Sequence, residues 1–268
     1  MGIIFSTYRK NRIGIRRAVP WSFMVSRVVT GATQIIFPYV ICFHLMKGEI
    51  SDEFSQYTNG ADYMTYIVLG SALNVLAVST LMNVGRALIT ELREGTLEML
   101  LLSPAPRREY FIGCLLEQTT RAMLEFGTVI LLGAVFGADL RALVSLRALA
   151  VILLAVCSFF CMGLTLSSVM LYTRDTYITQ NTLFITMSLI CGIAYPIQYL
   201  PGWVQMAAQV FPLTPAVSLF RNVVIQNQTL MENHLLILQA VVLSAVYLLT
   251  GALWNQRLER RMMESIFG

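Results

Sequence analysis

The chain has 268 residues, of which 56% are hydrophobic and only 13% are charged, and its mean hydropathy is +0.67. This charged fraction is about half that of a typical soluble domain, which excludes an ordinary water-soluble protein and indicates an integral membrane protein. The net charge of +4 comes from short basic segments that leave long uncharged windows between them.

The first predicted element is an amphipathic helix over residues 3–18. It is rich in Arg and Lys and places Ile4, Phe5 and Tyr8 on one face, a pattern typical of a helix that lies on a membrane surface. A disordered basic tail is the alternative. Pro20 ends the segment, which has neither the apolar run nor the cleavage site of a secretory signal peptide.

Six membrane spans are predicted. Five uncharged windows each accommodate a helix of about 20 residues, the length that crosses a hydrocarbon core about 30 Å thick. Only 13 uncharged residues separate Glu125 from Asp139, which as a helix are too few to cross the core. A further span must therefore begin near Tyr110 and carry Glu125 into the membrane. The predicted spans are residues 23–46, 63–90, 108–138, 147–172, 176–197 and 234–255. The expected fold class is therefore all-α, with six transmembrane helices.

Basic residues predict the orientation, because cytoplasmic loops are enriched in Lys and Arg. Six spans place both termini on one side, and twelve basic residues in the termini, the loops and the adjoining ends of the spans lie on that side. The opposite side carries four, namely Lys47, Arg141, Arg147 and Arg221. Both termini of this multi-pass chain are therefore expected in the cytoplasm.

A short leucine-rich run lies in the cytoplasmic stretch "ELREGTLEMLLLSPAP", residues 91–106. Gly95 breaks the preceding helix, Thr96 is placed to cap a new one, and Glu98 faces the positive end of its dipole. Two prolines close the segment, so the pattern predicts a surface helix of about two turns. Burial of each leucine would contribute about 1.5–3 kcal/mol. We therefore expect this helix to bind a partner; the alternative is that it rests on lipid.

The third span carries charges inside the membrane. Glu117, Arg121 and Glu125 are four residues apart, so they share a helix face and can pair along it. A charge at bilayer depth costs at least about 2.5 kcal/mol, and such residues usually face a bundle interior. Two roles fit equally well: a polar face that anchors neighbouring helices or moves with the short surface helix, and neutralisation near the cytoplasmic interface.

The segment before the last span, residues 198–233, contains Pro201, Pro212 and Pro215 and apolar stretches too short to cross a membrane. Non-helical backbone at membrane depth is tolerated only against protein or a watered cavity. Short helices that re-enter the membrane and an ordinary interfacial loop are both compatible with this pattern.

Catalytic motifs are absent from the sequence. It contains no phosphate loop, no nucleophile elbow and no H-E-x-x-H motif. The two histidines, His44 and His234, lie at outer ends of spans, and the five cysteines fall in or beside spans. No catalytic residue and no metal site are therefore predicted. An integral membrane enzyme remains the alternative class, and it would require a cluster of acid, base or metal ligands.

The stretch "ELREGTLEMLLLSPAPRREYFIG", between the second and third spans, resembles the ABC-2 type permease subunits of ATP-binding-cassette transporters. The size, the amphipathic N-terminal helix and the segment "YPIQYLPGWVQMAAQVFPLTPAVSLFR" are also similar. The resemblance implies one membrane domain over residues 1–268, with a coupling helix at 94–104 and outer re-entrant helices within 198–233. The residues that it assigns to ATPase contact are Glu94, Gly95, Thr96, Leu97, Glu98, Leu100, Leu101, Ser103 and Pro104.

The resemblance also implies the partners. A separate ATPase subunit would hold ATP and Mg²⁺, so this chain would have no cofactor and no ATPase site. One coupling helix per chain implies a dimer of permeases, either homodimer or heterodimer, in the lipid of a bacterial or archaeal cell membrane, and no nucleic acid. The motif is similar to that of exporters of drugs, antibiotics and peptides, and permeases for lipid-linked molecules share the architecture. A non-transporting immunity or sensor subunit is the second alternative.

In this family the first, second and fifth spans lie at the dimer interface, where cargo would pass. The polar residues that fall within those spans are the candidate cargo contacts: Gln34, Asn74, Asn181 and Thr186. For each of them, a hydrogen bond between helices is the alternative role.

Overall fold

The regular elements of the described chain are all helical. The computed structural model describes residues 2–18, 21–40, 52–58, 62–103, 106–175 and 177–267. The helices are α1 (Gly2–Ala18), α2 (Trp21–Val40), α3 (Asp52–Thr58), α4 (Tyr63–Arg93), α5 (Leu97–Leu102), α6 (Arg107–Val135), α7 (Leu146–Thr173), α8 (Tyr177–Ile190), α9 (Gly202–Ala208), α10 (Leu213–Val224) and α11 (His234–Phe267). Two 3-10 turns, Arg141–Val144 and Ile197–Tyr199, precede α7 and α9.

Three helices in the described part of the chain are long and apolar enough to cross a membrane. They are α4, α7 and the part of α11 from His234 to Leu258. With 31 and 28 residues, α4 and α7 reach about 46 and 42 Å, which exceeds the hydrocarbon core. Helix α6 has 29 residues but includes the charged positions, and residues 41–46 of the predicted first span lie outside the described residues.

The helix at the predicted fifth span is shorter than expected. Helix α8 ends at Ile190, whereas the span is predicted to continue to residue 197. Gly192 follows with a φ of 70°, and a left-handed glycine commonly ends a helix. The 14 residues of α8 reach only about 21 Å. The chain therefore turns after Ile190. Helix α11, by contrast, continues past the predicted end at residue 255 to Phe267.

Helix α4 is the centre of the bundle. It packs against α6, α7, α10 and α2, and its side chains are buried along most of its length. Helix α11 packs on α7, and its other face is largely exposed and apolar, as expected where a helix faces lipid. Small polar side chains join these two helices: Thr165 Oγ1 donates to the carbonyl of Tyr247 at 2.8 Å, and Ser244 Oγ donates to Ser158 Oγ at 2.8 Å.

The segment before the last span folds into two short helices, α9 and α10, and α10 is buried against α4, α7 and α11. Arg221, only 7% exposed, holds α10 in place. Its guanidinium donates to the carbonyls of Tyr66 at 2.9 and 3.2 Å, Gly192 at 2.6 Å and Ile193 at 2.5 Å. It also lies 3.4 Å from the centre of the Tyr66 ring. One side chain thus joins α10, the start of α4 and the turn after α8.

Candidate functional site

The junction between α4 and α5 is a tight helix end followed at once by a new helix. Gly95 has a φ of 71°, its N–H donates to Leu92 O at 3.2 Å, and the Thr96 N–H donates to Glu91 O at 2.9 Å. These are the two bonds of a Schellman motif, which needs a left-handed residue at the glycine position. The predicted break at Gly95 is therefore where α4 ends, and α5 starts two residues later at Leu97.

Helix α5 is two-faced. Leu97 is buried and Leu100 is partly buried, and both pack on a cluster formed by α4, α6, α7 and α11. Met99 and Leu102, on the other face, are 74% and 59% exposed, and Glu98 beside them is exposed. The described chain thus buries one apolar face of α5 and leaves a second apolar face uncovered.

The residues assigned to ATPase contact do not all lie on that outer face. Glu94, Gly95 and Glu98 are exposed, Thr96, Leu100 and Ser103 are half-buried, and Leu97 is buried. Pro104 and the side chain of Leu101 lie outside the described residues. Sequence reasoning missed Met99 and Leu102. Their spacing of three places them on one face, but no local pattern indicates which face of the helix the bundle covers.

Thr96 occupies the N-cap position of α5, as predicted, but its side chain does not cap the helix. The hydroxyl instead donates a hydrogen bond to the carboxylate of Glu91. The same carboxylate forms an ion pair with Lys10 Nζ at 2.6 Å and accepts a hydrogen bond from the Tyr110 hydroxyl at 3.2 Å. The Glu91 side chain is only 7% exposed. Sequence reasoning did not single out Glu91, because its partners come from three separate elements.

Glu117 and Arg121, two of the charged positions of α6, lie near this junction. Glu117 is buried, and its Oε2 has no hydrogen-bond partner among the described residues. Arg121 is half-buried and lines a cavity of about 390 Å³ between α1, α4 and α6, together with Lys10 and Arg86. Glu125 is half-buried farther along the helix. The structure does not show a hydrogen-bonded pair between Glu117 and Arg121.

A second cavity, of about 580 Å³, lies between α2, α4 and the end of α8. Its walls are mainly apolar, and no charged residue among those the structure describes lines it. It contains three buried polar atoms that have no hydrogen-bond partner within the described part of the chain. These atoms are Gln34 Oε1, Asn74 Oδ1 and Ser188 Oγ. A buried polar atom without a partner costs about 1–3 kcal/mol, so an opening of the groove that let a ligand or water bond these atoms would be favoured.

Two of the four predicted cargo contacts, Gln34 and Asn74, meet in this groove. Asn181 and Thr186 do not line it; Asn181 is exposed and Thr186 is half-buried on α8. Ser188 was not predicted, although it lies seven residues after Asn181 and so shares its helix face. We call the cavity lined by Gln34, Asn74 and Ser188 the polar groove.

Comparison with known proteins identifies the family. The model of the family described as ABC-2 type transporter matches residues 9–225, a range that includes the α4–α5 junction and the polar groove. No curated protein matches the chain. The family match covers most of the sequence and confirms the resemblance drawn from the stretch around α5. The chain therefore belongs to the ABC-2 type transporter family, whose members are membrane permeases that work with an ABC ATPase subunit.

Proposed function

We propose that this chain is the membrane-spanning subunit of an ATP-driven exporter and that α5 is its coupling helix. The observation that carries the proposal is the uncovered face of α5. Met99 and Leu102 are 74% and 59% exposed beside the exposed Glu98, while Leu97 fixes the opposite face in the bundle. Covering an apolar side chain contributes about 1.5–3 kcal/mol, so this face suits a docked protein subunit.

In the proposed arrangement six spans place α5 and both termini in the cytoplasm. Helices α2, α4, α6, α7 and α11 supply five spans, α8 together with the residues that follow it to residue 197 supplies the sixth, and α9 and α10 re-enter the membrane from the outer side. A separate ATPase subunit binds ATP and Mg²⁺ and docks on the outer face of α5. Two permease copies, each with one coupling helix, form the transporter in a bacterial or archaeal cell membrane. Closure of two ATPase subunits then shifts both coupling helices together.

The polar groove is the proposed cargo site. It lies between the helices that correspond to the first, second and fifth spans, which the family places at the dimer interface. Its apolar walls and unpaired amide and hydroxyl groups suit an amphipathic cargo that carries hydrogen-bonding groups. This description fits a drug, an antibiotic, a peptide or a lipid-linked molecule. Cargo must bind the inward-open and outward-open states unequally for ATP to drive export.

Purification from native membranes in mild detergent tests the proposal. The wild-type chain should co-purify with a polypeptide that carries a phosphate loop. Met99→Asp and Leu102→Asp each place a charge in the docking surface, so each should weaken ATPase binding by about tenfold or more. The matched control is Val144→Asp, because Val144 is 92% exposed in the 3-10 turn between α6 and α7; this variant should bind the ATPase normally.

Two results would overturn the proposal. The first is the absence of any phosphate-loop protein from the wild-type preparation. The second is retention of full ATPase binding and full ATP-driven transport by both α5 variants, since a coupling helix cannot tolerate a buried unpaired charge in its contact surface.

A further inference from the structure

Helix α1 is bound to the membrane domain more closely than a helix resting on lipid would be. It packs along α6, and the two backbones approach closely at Gly113. A Cβ atom at Gly113 would lie 2.7 Å from the Thr7 side chain and 2.9 Å from the carbonyl of Ile4. Thr7 is accordingly buried. Displacement of α1 from this position would open a packed contact, so α1 is held against α6.

Glu91 extends this attachment to α4 and α5. Its carboxylate binds Lys10 of α1, the Thr96 hydroxyl at the start of α5 and the Tyr110 hydroxyl of α6. Its backbone carbonyl accepts the Thr96 N–H at 2.9 Å. Thr96 is therefore held twice by the same residue, once through the backbone and once through the side chain.

The buried and exposed contacts of Glu91 contribute unequally. Lys10 is 54% exposed, so water and salt screen its attraction to the carboxylate. The Glu91 side chain is only 7% exposed, and an ionised carboxylate accepts stronger hydrogen bonds than a neutral group does. The bonds from Thr96 and Tyr110 therefore fix α5, and Lys10 adds the link to α1.

We propose that Glu91 is a positioning residue that joins α1, the end of α4 and the start of α5 into one mechanical unit. When a docked ATPase pushes α5, the carboxylate transmits the movement to α4 and draws α1 along the membrane surface with it. Without this carboxylate α5 keeps only the packing of Leu97 and Leu100 and the backbone bonds at Gly95, so less of its movement reaches α1 and the rest of the bundle. The inference rests on the proposed function for its mechanical consequence, but its structural part concerns the permease alone.

The structural part is tested on the purified permease by amide hydrogen exchange. Glu91→Gln keeps the size of the side chain but replaces the anionic carboxylate by a neutral amide with one acceptor oxygen, so its three bonds are weakened or lost. Amide exchange should therefore rise about tenfold in residues 96–103 and also in α1. Thr96→Val leaves the link to α1 and should raise exchange only in residues 96–103. Glu94→Gln, at an exposed carboxylate three residues later, is the control and should change neither segment. Unchanged exchange in Glu91→Gln would overturn the inference.

The mechanical part is tested with the ATPase complex in lipid vesicles, with Mg-ATP as the probe. Glu91→Gln should still bind the ATPase, because the outer face of α5 is intact, but the effect of the permease on the ATP hydrolysis rate should fall at least about fivefold. Lys10→Arg should retain the wild-type rate, since arginine keeps the charge. Loss of ATPase binding in parallel with loss of folded permease would show a merely structural role and refute the inference. Failure of the wild type to bind any ATPase would instead refute the proposed function, and the exchange result would stand.

Discussion

Replacement of Arg221 by lysine should destabilise the end of the bundle that contains α10. The guanidinium makes four hydrogen bonds to the carbonyls of Tyr66, Gly192 and Ile193 and stacks on the Tyr66 ring. Lysine keeps the charge but has three donors on a single nitrogen, so it cannot span these carbonyls and stack on the ring at once. At about 1.5–3 kcal/mol for a hydrogen bond to a charged group, we expect Arg221→Lys to cost about 2–4 kcal/mol.

The assay is thermal unfolding of the purified protein in detergent. For a chain of this size a loss of 1 kcal/mol lowers the melting temperature by about 2–4 °C, so Arg221→Lys should lower it by about 5–15 °C. Arg147→Lys is the matched control, because Arg147 is exposed and donates a single bond to Asn227 O at 3.3 Å. If the melting temperature of Arg221→Lys fell no further than that of this control, the role of the guanidinium in holding α10 would be refuted.

Two further substitutions test packing in the groove and at α1. Asn74→Leu removes a buried amide oxygen that has no partner among the described residues, so the melting temperature should stay equal or rise. Transport of a fluorescent amphipathic dye into vesicles should fall in this variant. Asn181→Leu is the control, because Asn181 is exposed and lies outside the groove, and it should leave dye transport unchanged. Gly113→Ala places a Cβ against α1. The overpacking should cost about 1–3 kcal/mol and lower the melting temperature. Gly127→Ala is the control, because Gly127 lies on the same helix with open space around it, and it should leave the melting temperature unchanged. Equal melting temperatures for the two alanine variants would contradict the close approach of α1 to α6.

Local sequence signals predicted the junction at α5 well. Gly95 marks the end of α4, the leucine run forms α5, and the prolines that follow mark where α5 ends. These signals act within a few residues, and their physical basis is backbone conformation.

Contacts between distant parts of the chain could not be predicted. Lys10 and Glu91 are 81 residues apart, and Arg221 lies 155 residues from Tyr66. No periodicity relates such positions, and both acceptors of Arg221 in the turn after α8 are backbone carbonyls, which exist at every residue. The uncovered face of α5 could not be predicted for the same reason. Burial of Leu97 rather than Met99 depends on how α4, α6 and α7 pack around α5.

Helix α4 connects the Arg221 contact at one end of the bundle, the polar groove and the proposed coupling helix at the other end. It carries the Tyr66 carbonyl that binds Arg221, the Asn74 side chain in the polar groove and the Glu91 carboxylate that holds α5. Tyr66 and Glu91 are about 37 Å apart along a continuous helix that contains no proline, so an axial displacement at one end reaches the other. Arg221 binds the Tyr66 carbonyl at 2.9 and 3.2 Å, so a shift of α4 away from the guanidinium by about 1–2 Å would stretch these two bonds beyond hydrogen-bonding range. In the proposed mechanism, a push on α5 therefore moves Asn74 in the polar groove and loosens the contact of Arg221 with Tyr66 at the opposite end of α4.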